Sequence, residues 1–364
     1  MSKISSCYIH IPFCDDICSY CDFCKIYKKS GHVKNYLQAL KQEIKERYQG
    51  EVLKTLYIGG GTPSCLSLLE LEQLFEILNI LKKDSDIEYT IECNIESITL
   101  EKLKLFQKYG VNRISIGIQT VDEKSIERLN RHHSKQQVYE TLKLVKESGF
   151  QNINVDLMYA FPWQTKKMFL SDLNFFLSLK VPHISTYSLI LEEHTRFYNQ
   201  QLTNIDEELE IWMYQTIMNV LKEHGYCHYE VSNFSYPGYE SKHNLVYWNN
   251  ETYYGFGLGA SGYMNNCRYE NTRSILKYQK GDYVLEEHVL TKREMMENEC
   301  ILGLRKMEGI SKNKFFLQFH EKIEDIFPIQ KLKEKGLLQE EQGFLKIPEN
   351  KIYISNEILL EFID

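Results

Sequence analysis

The sequence predicts an α/β protein, a partial, TIM-like (β/α)6 barrel followed by a small, mostly helical, winged-helix-like C-terminal domain. Three observations carry that expectation. Short runs rich in Ile, Val, Tyr and Thr alternate with amphipathic stretches through the first half of the chain. After residue 200 the alternation stops, and a helix leads into a segment dense in Tyr, Asn and Gly. From Thr291 onward the chain reads as three helices and a hairpin.

The strands fall at Cys7–Phe13, Thr55–Ile58, Ile87–Cys93, Arg113–Ile118, Asn152–Met158 and His183–Ile190. Between them, Val33–Tyr48, Leu68–Leu81, Leu100–Tyr109, Val138–Ser148 and Lys167–Leu179 repeat apolar residues at three- and four-residue steps, as helices packed on one face do. Strand–helix alternation implies parallel strands joined by right-handed crossovers. Six such units are too few for a closed eight-stranded barrel, so the barrel is open, with its site at the C-terminal strand ends. The expected boundaries are 1–200 for the barrel, 201–285 for a helix (Asp206–His224) and the Tyr/Gly-rich region, and 286–364 for the C-terminal domain. Its hairpin is expected at Phe344–Ile347 and Ile352–Ile354 around a turn at Pro348–Asn350. Acidic and basic residues balance there and no long basic helix occurs, which favours a packing module over nucleic-acid binding.

Composition narrows the function. With 43% hydrophobic and 26% charged residues the chain is an ordinary globular one, and a net charge of −7 argues against a broad phosphate-binding surface. No apolar run approaches the roughly 18–20 residues needed to cross a bilayer. The N-terminus lacks the apolar core and cleavage site of a signal peptide. A cytoplasmic protein is expected, with at most a peripheral membrane association. Ten cysteines in a reducing compartment are then a poor disulfide set. Six of them are scattered (Cys7, Cys65, Cys93, Cys227, Cys267, Cys300), but four crowd between positions 14 and 24.

That crowding is Cys14-Asp-Asp-Ile-Cys18-Ser-Tyr-Cys21, a C-x3-C-x2-C spacing just after the first strand. Thiolates suit zinc or iron–sulfur clusters. Structural zinc usually takes two cysteine pairs separated by a longer loop, whereas here three thiols share one short loop with no second knuckle. A [4Fe–4S] cluster on three cysteines leaves one iron open, and an open iron can chelate S-adenosylmethionine (SAM) for reductive cleavage to a 5′-deoxyadenosyl radical. Tyr20 before the third cysteine and the run Gly59-Gly60-Gly61-Thr62-Pro63 after the next strand strengthen this reading, because glycines let backbone approach a bound polar ligand. Cys24 is expected to be a non-ligand, since a fourth thiolate would occupy the open iron.

The run Tyr8-Ile-His-Ile-Pro-Phe-Cys14 with Tyr20-Cys21-Asp22-Phe23 resembles the oxygen-independent coproporphyrinogen III oxidase family of radical SAM proteins, and specifically its heme-chaperone branch. The resemblance continues through Ile58–Ser64, Ile91–Asn94, Gly110–Gln119, Asp156–Tyr159 and Tyr229–Phe234 to His243-Asn-Leu-Val-Tyr-Trp248. This last HNxxYW element is the most particular to the branch. The resemblance implies that Cys14, Cys18 and Cys21 hold the cluster. It implies that Tyr8, Tyr20, Gly60, Gly61, Thr62 and Glu92 surround SAM, while Gln119, Arg131, Asp156 and Ile190 match a second SAM pocket of the oxidase.

The chain departs from the family in several places. Ala160 and Trp163 stand where glycine is usual, Ile95 where proline is usual, and Ser261 where histidine is common. Trp163 is expected to reshape the mouth of the pocket, and Ser261 removes a candidate axial heme ligand.

Two functions follow. The branch resemblance implies heme binding and transfer to recipient hemoproteins, with His243 as an iron ligand and Tyr247 and Trp248 stacking on the ring. The alternative reading of that motif is structural, with His243 and Asn244 capping a loop and the aromatics filling core. The competing activity is radical decarboxylation of coproporphyrinogen III, or another radical SAM reaction on a porphyrin. It is disfavoured because the oxidases carry an arm ahead of the cluster motif and a C-x-C pair after the third ligand.

Overall fold

In a computed structural model, which describes residues 4–29 and 31–363, the barrel strands are β1 (Ser6–Ile11), β2 (Leu53–Gly60), β3 (Lys83–Asn94), β4 (Arg113–Gln119), β5 (Asn152–Tyr159) and β6 (His183–Ser188). All six run parallel, in chain order. Helices α1 (His32–Arg47), α2 (Leu68–Leu78), α3 (Leu100–Lys108), α4 (Lys135–Glu147) and α5 (Lys166–Ser178) lie between successive strands. Ser67 and Ser134 begin α2 and α4 with capping boxes, satisfying backbone N–H groups that a helix start leaves free.

The sheet does not end with the sixth unit. After α6 (Glu207–Glu223), β7 (Cys227–Glu230) and β8 (Asn233–Ser235) form an antiparallel hairpin on the β6 edge. A short helix, α7 (Lys242–Trp248), is followed by β9 (Tyr254–Phe256), which pairs parallel to β1 at the opposite edge. The result is a nine-stranded sheet. The expected boundary at residue 200 is therefore not a structural one: residues 227–256 cover both open edges of the barrel, which would otherwise leave backbone groups unpaired.

Strand periodicity sorts the side chains unusually. Residues facing the helices are apolar and buried: Cys7, Ile9 and Ile11; Leu56 and Ile58; Ile114, Ile116 and Ile118; Ile153, Val155 and Leu157. Inward residues are mostly polar, among them Tyr8 and His10, Thr55 and Tyr57, Glu88 and Glu92, Arg113 and Ser115, Asn154 and Asp156, and His183 and Ser185. The apolar core lies between sheet and helices, and the barrel interior is a polar chamber.

The C-terminal region packs a helix (Lys292–Gly303), four shorter α-helices and a three-stranded sheet in which Phe344–Lys346 is central. The expected hairpin is corrected here. Phe344–Lys346 pairs with Gln339–Glu341, and residues Glu349–Ile354 form a 3-10 helix. The turn is Gln342-Gly343, both at positive φ (51° and 83°), the geometry a two-residue hairpin turn requires. Among the described residues no helix is long and apolar enough to cross a membrane.

Candidate functional site

At the C-terminal ends of the strands the chamber opens into a cavity of about 480 Å³. Cys14, Cys18 and Cys21 line it on one side, carried by the loop after β1. That loop is held to the barrel by backbone hydrogen bonds from Ser19 N to the Leu129 carbonyl (3.0 Å) and from Phe197 N to the Ser19 carbonyl (3.0 Å). Two side chains point donors at its sulfurs: Thr62 Oγ1 to Cys14 Sγ (3.6 Å) and Arg131 Nη1 to Cys18 Sγ (3.5 Å). A cation and a hydroxyl directed at thiol sulfurs suit thiolates, the form in which cysteine binds metal.

The glycine run explains itself in space. Gly60 has φ of 116°, and a Cβ there would lie 2.7 Å from the His10 ring. A Cβ on Gly61 would lie 2.9 Å from Cys14 Sγ and 2.8 Å from the Phe13 carbonyl oxygen. Backbone must pass this close to seat the cysteine loop. The three thiols, a cavity rather than a point between them, and donors at two sulfurs fit a [4Fe–4S] cluster. Among the described residues no three His, Cys, Asp or Glu side chains converge as a single-ion site would need.

The remaining expected residues mostly meet in the same cavity: Tyr20, Gly60, Gly61, Thr62, Glu92, Gln119, Arg131, Asp156 and Ile190 all line it. Glu92 accepts from the Tyr57 hydroxyl (2.8 Å) and from Gly60 N (3.0 Å). Burial pushes its carboxyl up to about 7, and that of Asp156 up to about 6. Arg131 also donates to Asn94 Oδ1 (3.3 Å), and Gln119 donates to the Tyr187 hydroxyl (3.1 Å). Several groups are left unsatisfied: Arg131 Nε, Gln119 Oε1 and Arg113 Nε are buried without a hydrogen-bond partner. Unsatisfied buried polar atoms around a cavity are what a polar ligand would complete.

Tyr8 lies apart. Its hydroxyl pairs with His10 Nδ1 (3.0 Å), whose Nε2 meets the Cys24 carbonyl (2.7 Å). Tyr8 and Cys24 line a second, more open cavity of about 410 Å³ behind the cluster loop, with Phe23, Tyr247, Trp248, Tyr253, Ser261 and Arg273. Asp22 and Phe23 line both cavities and form the wall they share. Cys24 does not line the cluster cavity.

His243 requires a correction. Its ring is 1% exposed, with Nδ1 paired to Thr55 Oγ1 (2.8 Å) and Nε2 to the Tyr247 hydroxyl (2.8 Å). It stacks on Tyr57 at 5.1 Å, and burial lowers its pKa to about 3. An imidazole with both nitrogens engaged and no exposure has none to offer to heme iron. The reason is position: α7 plugs the chamber. Glu88 accepts from Lys242 N (3.0 Å) and His243 N (2.9 Å), and Asn244 reaches the cavity wall.

Trp163 is corrected too. It does not line the cavity; it stacks on Phe161 (5.5 Å) and donates from Nε1 to Ser125 Oγ (2.9 Å). The sequence reading missed Tyr57, Asn94, Arg113, Ser115, Asn154 and Tyr187 as cavity residues. The signal was present in Arg113-Ile-Ser-Ile-Gly-Ile-Gln119, where polar residues and glycine alternate with isoleucine.

A cysteine-loop barrel with these features defines a class, and comparison agrees with the geometry. Residues 8–176 match the radical SAM superfamily and residues 290–351 the HemN C-terminal domain, so this is a radical SAM protein. Its fold is that of coproporphyrinogen III oxidase HemN from Escherichia coli, with a TM-score of 0.87 at 22% identity over 99% of this chain and 90% of that one. Heme chaperone HemW of Lactococcus lactis is 40% identical over 100% of this chain and 98% of its own length. That of Bacillus subtilis is 40% identical over 99% of each. The chain belongs to the heme chaperone HemW family. Membership in the radical SAM superfamily implies a [4Fe–4S] cluster and SAM, and the donor set fits both. When bound, the cluster supplies an open iron for SAM and the electron that cleaves it.

Proposed function

We propose that this chain is a cytoplasmic heme chaperone that binds heme and passes it to recipient hemoproteins, with a SAM-binding cluster in an assisting role. The observation that carries the reading is identity of 40% with heme chaperones HemW along the whole chain. In this reading Cys14, Cys18 and Cys21 hold the cluster. Tyr20, Gly60, Gly61, Thr62 and Glu92 enclose SAM, with Gln119, Arg131, Asp156 and Ile190 lining the rest of the cavity.

Since His243 is engaged, the heme surface is better sought in the second cavity. Tyr247 and Trp248 of the HNxxYW element, with Phe23 and Tyr253, offer flat apolar faces there, and Arg273, whose Nε is paired with Glu270 Oε1 (3.0 Å), has its terminal amino groups for a propionate. The shared Phe23 wall would place heme against the back of the cluster loop.

Heme titration of the anaerobically reconstituted chain, read by the Soret band, tests this. Trp248→Ala and Arg273→Ala should each weaken heme binding, while the iron–sulfur absorbance stays at the parent level. A parent chain that binds no heme, or conversion of coproporphyrinogen III to protoporphyrinogen in the presence of SAM and reductant, would reject the chaperone reading in favour of an enzyme.

A further inference from the structure

Asn94 is the last residue of β3 and lines the cavity with Thr62 and Arg131. Thr62 and Arg131 are each only 7% exposed, and each aims a donor at a cysteine of the loop. The Thr62 hydroxyl donates to Cys14 Sγ (3.6 Å), and Arg131 Nη1 donates to Cys18 Sγ (3.5 Å). The Asn94 amide joins the two. Its Oδ1 accepts from Arg131 Nη2 (3.3 Å), and its Nδ2 donates to Thr62 Oγ1 (3.5 Å). A guanidinium can only donate, which fixes the end of the amide that faces it and leaves the NH2 end for Thr62. Because Thr62 Oγ1 accepts from Asn94, its own hydrogen is left for Cys14. Because Asn94 Oδ1 and the Gly117 carbonyl both take Nη2, the guanidinium is held with Nη1 toward Cys18. The Asn94 backbone is held in turn: its N–H donates to Ser64 Oγ (3.2 Å), and its carbonyl accepts from Ser97 Oγ (2.8 Å).

Hydrogen bonds to the sulfurs of an iron–sulfur cluster stabilise the more negative, reduced form and so raise its reduction potential. We propose that Asn94 is a positioning residue that holds the Thr62 hydroxyl and the Arg131 guanidinium on two cluster sulfurs, and thereby sets the potential at which the cluster accepts an electron. The network makes the cluster easier to reduce and a weaker donor toward SAM, which suits an assisting role. The proposal rests on Cys14, Cys18 and Cys21 holding a [4Fe–4S] cluster, and it is independent of where heme binds.

The test is a redox titration of the reconstituted full chain with dithionite, read by the EPR signal of the reduced cluster. SAM is left out, so that the potential reports on the sulfurs and not on ligand binding. Thr62→Val removes the hydroxyl and keeps the shape, whereas Thr62→Ser keeps the hydroxyl. Asn94→Asp replaces the amide donor with a second acceptor: the carboxylate still receives Arg131, but it draws the Thr62 hydrogen away from Cys14 and adds a negative charge. Thr62→Val should lower the ratio of reduced to oxidised cluster roughly tenfold at a fixed potential, a shift of about 59 mV for one electron. Asn94→Asp should lower it further, and Thr62→Ser should stay at the parent value. The double variant decides whether Asn94 acts through Thr62. Thr62→Val should then add little to Asn94→Asp, because no hydroxyl bond to Cys14 is left to lose, and the added charge is common to both. An unchanged potential in Thr62→Val, a Thr62→Ser shift as large as that of Thr62→Val, or shifts that sum in full in the double variant would each overturn the proposal. Should Asn94→Asp load no cluster, Asn94→Leu takes its place, with the same requirement that Thr62→Val add less to it than to the parent. Failure of the cluster assignment would look different, with the parent itself showing no iron–sulfur absorbance.

Discussion

The cavity at the strand ends and the His243 end of helix α7, which plugs the chamber, treat hydrogen bonds in opposite ways. Around the cavity, Arg113, Gln119 and Arg131 each keep a buried polar atom without a partner. In α7, both nitrogens of His243 are paired and its backbone N–H is received by Glu88. Buried polar groups are normally satisfied, so exceptions that cluster around one space point to something that fills it. Groups that satisfy one another point to structure. This criterion supports the proposal that the cysteine loop and chamber are the ligand site, with the His243-Asn244 half of the HNxxYW element as a plug that gives the chamber a wall.

The sharpest way to break the comparison is to remove ligands from each side. Cys18→Ala should abolish the iron–sulfur absorbance altogether after reconstitution, as should Cys14→Ala and Cys21→Ala, because two thiolates would leave two of the four irons without a protein ligand. Cys24→Ala should reconstitute as the parent does, since Cys24 lines the other cavity and packs against Gly259. Loss of the cluster in Cys24→Ala, or its full retention in Cys18→Ala, would mean the loop rearranges on loading.

A smaller effect is expected from the plug. His243→Ala leaves Thr55 Oγ1 and the Tyr247 hydroxyl without their imidazole and opens a void beside Tyr57. Loss of buried volume and of two hydrogen bonds together should destabilise by about 2–4 kcal/mol. Urea unfolding at neutral pH measures it, and the Soret position of bound heme should not move. A stability equal to the parent with an altered Soret band would restore His243 to heme and make the plug incidental.

These contrasts also show what the sequence could convey. The six parallel strands and their helices were legible because outward Ile, Val and Leu recur at period two between amphipathic stretches. That Cys14, Cys18 and Cys21 share one cavity was legible because three soft ligands on one short loop have few other uses. His243 was misplaced because a motif says which residues recur together, not whether their polar atoms face one another or a ligand. Arg113 went unseen because a lone arginine inside a strand has many roles, and only the fold shows that it lines the cavity. The C-terminal hairpin was misplaced because Pro348 and Asn350 are stronger turn residues than Gln342, which adopts a left-handed conformation beside Gly343.

The smallest effect sharpens the same distinction through the backbone. Gln119 and Ala160 end neighbouring strands of the barrel with φ of 67° and 61°, a region that costs a residue with a Cβ roughly 1–2 kcal/mol. Only Gln119 lines the cavity, with its amide on Tyr187. Ala160 is buried behind it among apolar neighbours. Glycine removes the strain at either site but loses roughly 0.5–1 kcal/mol through the freedom of the unfolded chain. Ala160→Gly should therefore gain less than about 1 kcal/mol in urea unfolding and leave SAM affinity unchanged. Gln119→Gly should show a similar relief of strain but bind SAM more weakly, because it removes a polar group that is partly unsatisfied until the cavity is filled. Equal SAM affinity in the two variants would mean that the unpaired Gln119 oxygen faces no ligand, and the criterion separating site from structure would fail where it is most finely drawn.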